Sequence, residues 1–529
     1  MKNQNQNVSR LHLALFSSLL LSLCAPTFGD EQKSAGELNN LAQRYSSKGD
    51  ALNAQRHFQQ ALDLAADENC SWCSEARSTL TRLLSDKLVN AINSQNYAQI
   101  RTFTSSTIAD STLQRLGLDM YAGYLSAESH FHGAFTLQSA NVLNHADGVV
   151  SSEVFVNSSN TQMPYRIEMS YTDTFPQKIT RIRIRAHVTD SPDTVVSDVP
   201  AVMAELSAYI DSLASKDVFS GTVLVAKDNK VLLEKAVGMA SKRFKAPINI
   251  NTRFNLGSMN KMFTSVAILQ QVEAGKLKLS DKLVDVMPLE EPGAELAQVQ
   301  IQHLLSHTSG VGSLSCPMGE LTTTADRNDC LAKLAKIGSN FPAGTQYRYS
   351  SDGMFILGLV LEQLTGLSYY DVVQQNVFNK AAMPDTASLD LQFPVENAAI
   401  GYSFHGQQNQ WRNNLFIHDK RGGPAGGGYS TVKDLFHFAQ ALMNHELLSQ
   451  AMTKLAMTPK KEFGASNYGF GFILWDRNGK PVVGHNGSFP GVSSQMEMHL
   501  SSGHTLVVLS NHSFGADPVL AKAHQLLGL

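Results

Sequence analysis

The sequence is short of cysteine, of net charge and of long apolar runs, and each shortage excludes a class of protein. Its 529 residues include five cysteines, and 43 Lys and Arg almost balance 46 Asp and Glu. A net charge of −3 gives no electrostatic reason for binding nucleic acid or an anionic membrane. No stretch after the N-terminal region supplies the roughly 20 apolar residues of a membrane-spanning helix. The length predicts roughly two to four domains.

The N-terminal region has the pattern of a secretory signal peptide, predicted over residues 1–29. Lys2 and Arg10 precede the apolar run "LHLALFSSLLLSLCA", and the following "PTFGDE" contains small residues suited to a cleavage site. We therefore expect a periplasmic or secreted protein. Lipidation of Cys24 is the alternative, although Leu23 is bulky where lipoprotein sites have a small residue.

The other four cysteines fall into two local pairs, Cys70 with Cys73 and Cys316 with Cys330. In an oxidising compartment, such pairs predict two disulfides. A zinc site would need the two pairs to meet across almost 250 residues, so we predict no metal and no cofactor.

Pattern changes divide the chain into segments. Residues 30–86 contain "ELNNLAQRYSSKGDALNAQRHFQQALDLAA", which resembles one tetratricopeptide repeat, or else is a plain helical hairpin. A true repeat would give this segment a protein partner. Residues 87–190 pass from helical to alternating patterns and predict a small α+β domain. A Pro-, Asp- and Ser-containing linker follows at 191–204, and a last domain at 205–529.

The last domain begins and ends with strand patterns. "GTVLVAKDNKVLLEKAVG" predicts a hairpin near its start, and "PVVGHNGS", "SSQMEMHL" and "HTLVVLSN" predict strands near its end. A long helical stretch lies between them. This order predicts a split antiparallel sheet flanked by helices, and an α+β fold overall.

The stretch "FNLGSMNKMF" places Ser258 one helical turn before Lys261. The helix that follows is apolar on most sides, so it should be buried, and burial lowers the pKa of a lysine. A lysine that has lost its proton can activate a serine hydroxyl as a nucleophile. Alone, the S-x-x-K spacing also fits a serine that only caps a helix.

Two further motifs argue against a chance occurrence of the S-x-x-K spacing. With them, the chain resembles the serine β-lactamase and penicillin-binding-protein superfamily, in its class C and esterase branch, over about residues 205–529. That family carries S-x-x-K, then Y-x-N or Y-x-S, then K-T-G or H-x-G. The matching residues are Ser258-Met-Asn-Lys261, Tyr349-Ser-Ser351 and His485-Asn-Gly487, with "LLSHTSG" and "RGGPAGGGYST" as further family-like stretches.

The resemblance implies the fold and a set of site residues. It implies an antiparallel sheet flanked by helices, with an all-helical subdomain. The implied catalytic residues are Ser258, Lys261, Tyr349 and His485. The implied substrate-binding residues are Ser351, to hold Lys261 or the substrate carbonyl, with Asn486, Gly487 and Ser488. The implied oxyanion hole uses the backbone N–H groups of Ser258 and of Ser488 or Ser493.

Two departures from the β-lactamase pattern concern the substrate. Ser351 replaces an asparagine, and His485 replaces a lysine whose fixed charge helps to hold a carboxylate. Titration of His485 is expected to give a limb in the pH profile between about pH 5 and 8. We therefore expect an exported serine hydrolase of the esterase or D-amino-acid peptidase type. The alternatives are a β-lactamase, or a penicillin-binding sensor or binding module with little turnover.

Overall fold

The structure is a computed structural model that describes most of the chain. It covers residues 33–65, 72–188, 198–287, 289–314, 316, 324–417, 420–477 and 479–529. The predicted signal peptide, Cys24 and Cys70 lie outside the described residues, so the Cys70–Cys73 pairing stays a prediction. None of the described helices is both long and apolar enough to cross a membrane.

Three helices open the described chain. Ser34 caps the first of them in a reciprocal pair with Glu37, which satisfies two backbone N–H groups at the helix start. The third helix runs without a break through the predicted boundary between 30–86 and 87–190. It does so because its buried leucines recur at helical spacing across that point, at Leu80, Leu84 and Leu88. These helices are α1 (Ala35–Ser47), α2 (Ala51–Leu64) and α3 (Cys73–Asn93).

A helical layer and a four-stranded antiparallel sheet come next, and we call residues 87–188 the front domain. The strands pair in chain order, and their buried residues alternate, as at Tyr165, Ile167 and Met169. That face of the sheet packs on α3 and the helices after it. The elements are α4 (Tyr97–Thr107), α5 (Asp110–Leu116), α6 (Leu118–His132), β1 (Phe135–Ala146), β2 (Val149–Ser158), β3 (Pro164–Thr172) and β4 (Ile179–Ala186).

The next helix, α7 (Val199–Ser215), begins inside the predicted linker 191–204. The Asp198 side chain accepts a hydrogen bond from the Ala201 N–H, and Pro200 lies in the first turn, where its missing N–H costs nothing. The helix begins before the predicted end of the linker because Asp198 caps it and Pro200 fits its first turn.

The last domain is built on a six-stranded antiparallel sheet of order β13-β14-β15-β16-β5-β6, which brings the first and last strands of the domain together. Alternate residues of β16 face opposite sides: Leu506 and Val508 pack with α7 and the C-terminal helix, whereas Val507 and Leu509 face the central helices. The strands are β5 (Gly221–Lys227), β6 (Lys230–Val237), β7 (Met239–Ser241), β8 (Ala246–Pro247), β9 (Phe254–Asn255), β10 (Tyr402–His405), β11 (Gln410–Asn413), β12 (Tyr429–Ser430), β13 (Ile473–Arg477), β14 (Lys480–Phe489), β15 (Val492–His499) and β16 (His504–Ser510).

Helices cover both faces of this sheet, and the architecture confirms the α+β prediction. On one face lie α7 and α16, and on the other α8 and α14, with a mostly helical region beyond them. The helices are α8 (Asn260–Glu273), α9 (Leu283–Val286), α10 (Ile301–Leu305), α11 (Thr324–Ala335), α12 (Ser351–Thr365), α13 (Tyr369–Val373), α14 (Val432–Met443), α15 (Gln450–Ala456) and α16 (Ala516–Leu527).

Candidate active site

Ser258 lies in a short 3₁₀ turn, Gly257–Met259, that leads directly into α8. Gly257 has φ +51°, a left-handed conformation that glycine adopts without strain. The Ser258 side chain is partly exposed, whereas nearly every residue of the first three turns of α8 is buried. The start of a buried helix therefore presents a single accessible hydroxyl at the site.

Lys261 is fully buried at 0% exposure and has two oxygen partners. Its ammonium Nζ donates to the Ser258 hydroxyl at 3.1 Å and to the Ala425 carbonyl at 2.5 Å. Burial lowers the pKa of Lys261 to about 7. A substantial fraction of this amine is therefore neutral at neutral pH and able to accept a proton.

The Ala425 carbonyl is placed by the glycine-rich segment, residues 421–431. Asn260 holds this segment from both sides, because its amide donates to the Gly423 carbonyl at 3.2 Å and accepts from the Gly428 N–H at 3.1 Å. A Cβ on Gly426 would lie 2.9 Å from the Gly257 carbonyl, so this close approach of two backbones requires glycine. The sequence marked this stretch as family-like but gave it no role, and its role is to hold Lys261.

Tyr349 contacts both members of the S-x-x-K pair. Its hydroxyl hydrogen-bonds the Ser258 side chain, and the Lys261 Nζ lies 4.9 Å from the centre of its ring. Although 41% of Tyr349 is exposed, its hydroxyl points into the site, and burial there raises its pKa well above the usual value. The phenol is therefore protonated at neutral pH, and Lys261 is the better base.

Two aromatic side chains that the sequence reasoning missed position Tyr349. The ring of His307 packs on Tyr349 at 4.3 Å and on Tyr468 at 4.5 Å, measured between ring centroids. His307 has φ +59°, a strained backbone for a non-glycine residue, and its Nδ1 accepts from the Ser350 N–H at 3.2 Å. Such strain beside a candidate site is typical of functional loops. The sequence feature that pointed to His307 was the family-like stretch "LLSHTSG", which contains it.

His485 is fully buried, and both of its ring nitrogens are occupied. Nδ1 lies 2.6 Å from the Asn486 carbonyl, which only accepts, so Nδ1 carries the proton and Nε2 accepts from the Tyr468 hydroxyl at 3.0 Å. Burial, reinforced by the charge of Lys261, lowers the pKa of His485 to about 3. The expected His485 limb between about pH 5 and 8 is therefore wrong, because sequence alone did not show how completely the ring is buried.

The third motif lies against the nucleophile. A Cβ on Gly487 would lie 3.1 Å from the Ser258 backbone nitrogen and 1.8 Å from the Leu256 carbonyl, so only glycine fits there. The backbone nitrogen of Ser488 lies 3.0 Å from the position that a Cβ on Gly257 would occupy. The N–H groups of Ser258 and Ser488 therefore come from neighbouring backbone segments. Ser493, the other predicted donor, lies opposite Ser488 on β15, and its hydroxyl accepts from the Ala516 N–H at the start of α16. The role of its backbone N–H stays a prediction.

One edge of β14 is open beside the site. Strand β13 pairs with β14 only as far as Gly484, and among the described residues no strand covers that edge at His485 or beyond. The exposed Asn486 side chain lies on this part of β14. The open edge offers backbone hydrogen-bonding groups to an extended substrate.

Ser351 is the predicted site residue that does not meet its expected partner. It is the first residue of α12, and within the described chain Lys261 hydrogen-bonds Ser258 and Ala425 rather than Ser351. The backbone carbonyl of Ala425 is the hydrogen-bond partner of Lys261 where the sequence predicted the side chain of Ser351. Ser351 therefore stays a candidate only for the substrate carbonyl.

Among the described residues, one group of side chains is close enough to share a metal ion: Glu497, His499 and His524. Both histidines already hydrogen-bond one oxygen of Glu497, at 3.1 and 2.6 Å, and Arg477 binds the other oxygen at 2.8 Å. The group lies toward α16, on the sheet face away from Ser258. It is a satisfied buried network that needs no ion, and it takes no part in the site.

Comparison with known proteins identifies the family. The Beta-lactamase family matches residues 201–528. Penicillin-binding protein 4* of Bacillus subtilis is 28% identical over 327 residues, which cover 58% of this chain and 71% of that protein. Penicillin-binding protein 4 of Amycolatopsis lactamdurans is 28% identical over 353 residues, covering 62% and 91%.

A solved structure agrees with the sequence match. The penicillin-binding protein of Bacillus halodurans is 30% identical, with a TM-score of 0.53, and the match covers 62% of this chain and 99% of that one. The family match and this structural likeness show that the chain belongs to the beta-lactamase family, within the superfamily of serine β-lactamases and penicillin-binding proteins, and that it is a serine hydrolase.

Proposed function

We propose that this protein is an exported serine hydrolase that forms an acyl-enzyme on Ser258 and acts as an esterase or as a peptidase on D-amino-acid substrates. One observation carries the proposal: the fully buried amine of Lys261 lies 3.1 Å from the Ser258 hydroxyl, with a pKa of about 7. This pairing supplies a proton acceptor at the one accessible hydroxyl of the helix start.

Acylation follows from these positions. Neutral Lys261 takes the Ser258 proton as Oγ bonds to the substrate carbonyl carbon, and the negative charge on the carbonyl oxygen is stabilised by the backbone N–H groups of Ser258 and Ser488. The protonated phenol of Tyr349 then gives its proton to the leaving group. Lys261 restores that proton, and a water molecule later releases the acyl group by the reverse set of transfers.

The environment of His485 argues for the substrate class. A β-lactam presents a carboxylate, which a fixed cation on the third motif would bind, whereas His485 is neutral with both ring nitrogens occupied. Simple esters and amides need no such cation. We therefore favour esters and D-amino-acid amides as substrates, because neither carries a carboxylate. A D-amino-acid peptide with a free C-terminus would need another group of the site to hold its carboxylate.

A β-lactamase or a penicillin-binding sensor with little turnover is the second candidate. Its support is that the relatives at 28 to 30% identity are named penicillin-binding proteins. Those names describe the relatives alone. The two candidates differ in how fast a β-lactam acylates Ser258 and how fast the acyl group leaves.

Export rests on the signal-peptide pattern of residues 1–29 and on the disulfide between Cys316 and Cys330. A periplasmic or secreted location follows from both. A protein partner for α1 and α2, as in a tetratricopeptide repeat, rests on the sequence pattern alone.

Steady-state kinetics on two chromogenic substrates test the proposal. We expect kcat/KM for p-nitrophenyl acetate to exceed that for a chromogenic cephalosporin, with Ser258→Ala inactive on both. A cephalosporin value of roughly 10⁴ M⁻¹s⁻¹ or more, together with a slower ester, would establish the β-lactamase instead.

A further inference from the structure

A cleft of about 690 Å³ lies between the front domain and the last domain. Helix α6 of the front domain forms one wall. The hairpin β10–β11 and the turn after β14 form the other walls. This volume is in the range of cavities that hold small ligands.

The cleft borders the third motif of the candidate site. Ser488 and Phe489 both line it, and the Ser488 backbone nitrogen also lies beside Gly257, next to the nucleophile. Neither Ser258 nor Tyr349 lines the cleft, so the segment Ser488–Phe489 is the link between the cleft and the nucleophile. An acyl group on Ser258 whose carbonyl oxygen lies at the Ser488 N–H has the cleft beyond Ser488 open to it. The leaving group would lie at the Tyr349 hydroxyl, which contacts Ser258.

The walls of the cleft are held by close contacts. The ring of His130 in α6 stacks on Phe404 of β10, with ring centroids 3.6 Å apart. On the other side of the hairpin, the Asn414 amide donates to the Pro490 carbonyl at 3.0 Å, which ties the hairpin to the turn after β14. The front domain is thus coupled through the hairpin to the strand that borders Ser258.

The lining chemistry defines the ligand. Apolar atoms make up most of the lining surface, and the two fully charged side chains of the lining, Asp119 and Arg412, have opposite signs. Asp119 is paired with Arg101 at 2.6 Å. The cleft therefore favours an uncharged apolar group over an anion or a cation. The large apolar residues that line it are Tyr97, Met120, Tyr124, Phe404, Phe489 and Phe514.

We propose that this cleft is the binding site for the acyl side of the substrate, and that it takes an elongated, uncharged aliphatic or aromatic acyl group with α6 of the front domain as one wall. The front domain then selects the substrate of the last domain. The inference rests on the proposed acylation of Ser258.

The test is a substitution in the front domain that fills part of the cleft. Gly123 of α6 lines the cleft, and a Cβ there would meet no other atom within 4 Å, so Gly123→Leu adds bulk without a clash and improves helix propensity. Gly36→Leu makes the same exchange on exposed α1, where a Cβ also meets nothing. The reagents are alkylphosphonofluoridates with a methyl or an octyl group on phosphorus, which phosphonylate an activated serine with loss of fluoride.

We expect the wild-type full chain to react at least about tenfold faster with the octyl reagent than with the methyl reagent. Gly123→Leu should remove most of that preference, whereas Gly36→Leu should keep it. Equal rates for the two reagents in the wild type, or an unchanged preference in Gly123→Leu, would overturn the cleft proposal. Failure of both reagents to label Ser258 would instead reject the acyl-enzyme proposal, so the two failures are distinguishable.

Discussion

The Lys261 ammonium nitrogen lies 3.1 Å from the Ser258 hydroxyl in a position with no exposed surface. Burial alone accounts for the lowering of the lysine pKa to about 7. The charged form is disfavoured because it has lost its water and has gained only the Ala425 carbonyl and the Ser258 hydroxyl as partners. This relationship converts an ordinary serine into a candidate nucleophile.

The ionisation of Lys261 should control activity. The neutral amine is the active form, so kcat/KM for an ester should fall about tenfold per pH unit below about pH 7 and level off above it. Lys261→Arg places a permanent cation at this position and should lower kcat/KM at least about 100-fold. The measurement is a profile of kcat/KM from about pH 5 to 9, and a flat wild-type profile would reject Lys261 as the base.

His485→Gln is the control for this assignment. Because the pKa of His485 lies near 3, the ring stays neutral through the whole limb, and the midpoint near pH 7 should survive its replacement even if the rate falls. Disappearance of the limb in His485→Gln would show that the histidine, rather than Lys261, titrates.

Tyr349→Phe should remove the proton donor for the leaving group while keeping the ring. We expect kcat to fall by about 100-fold or more with little change in KM. Tyr347→Phe is the matched control: its ring also packs near Tyr468, at 6.0 Å between centroids, and it is similarly exposed. Comparable losses in the two variants would mean that Tyr349 has only a packing role.

The local part of the site could be predicted from the sequence, and its tertiary part could not. The Ser258–Lys261 spacing lies within one helix start, so the motif predicted their contact directly. Ala425 contributes a backbone carbonyl, whose position depends on how the glycine-rich segment folds over Asn260. No side-chain pattern reveals such a contact.

The same limit explains why the pKa of His485 could not be predicted from the sequence. Its position in the third motif was visible in the sequence, but its pKa depends on complete burial and on a hydrogen bond from Tyr468. Similarly, strand patterns predicted the split sheet, whereas the docking of α6 on the β10–β11 hairpin joins segments more than 250 residues apart in the sequence. Such contacts follow from surface complementarity rather than from periodicity.

Cys316 and Cys330 form a disulfide with a sequence separation of 14. Closing a loop of this size should contribute about 3 kcal/mol to the free energy of unfolding. We expect Cys316→Ala with Cys330→Ala to lower that free energy by about this amount in urea denaturation. Alkylation of the denatured, unreduced wild type should modify neither cysteine, and modification of both would contradict the pairing and weaken the case for export.

The most direct test of the central claim is to locate the adduct after the full chain reacts with a fluorophosphonate. The folded protein should carry one phosphonyl group, peptide mass mapping should place it on Ser258, and Ser258→Ala should remain unlabelled with an unchanged circular dichroism spectrum. An adduct on a different serine, or labelling that persists in Ser258→Ala, would contradict the account.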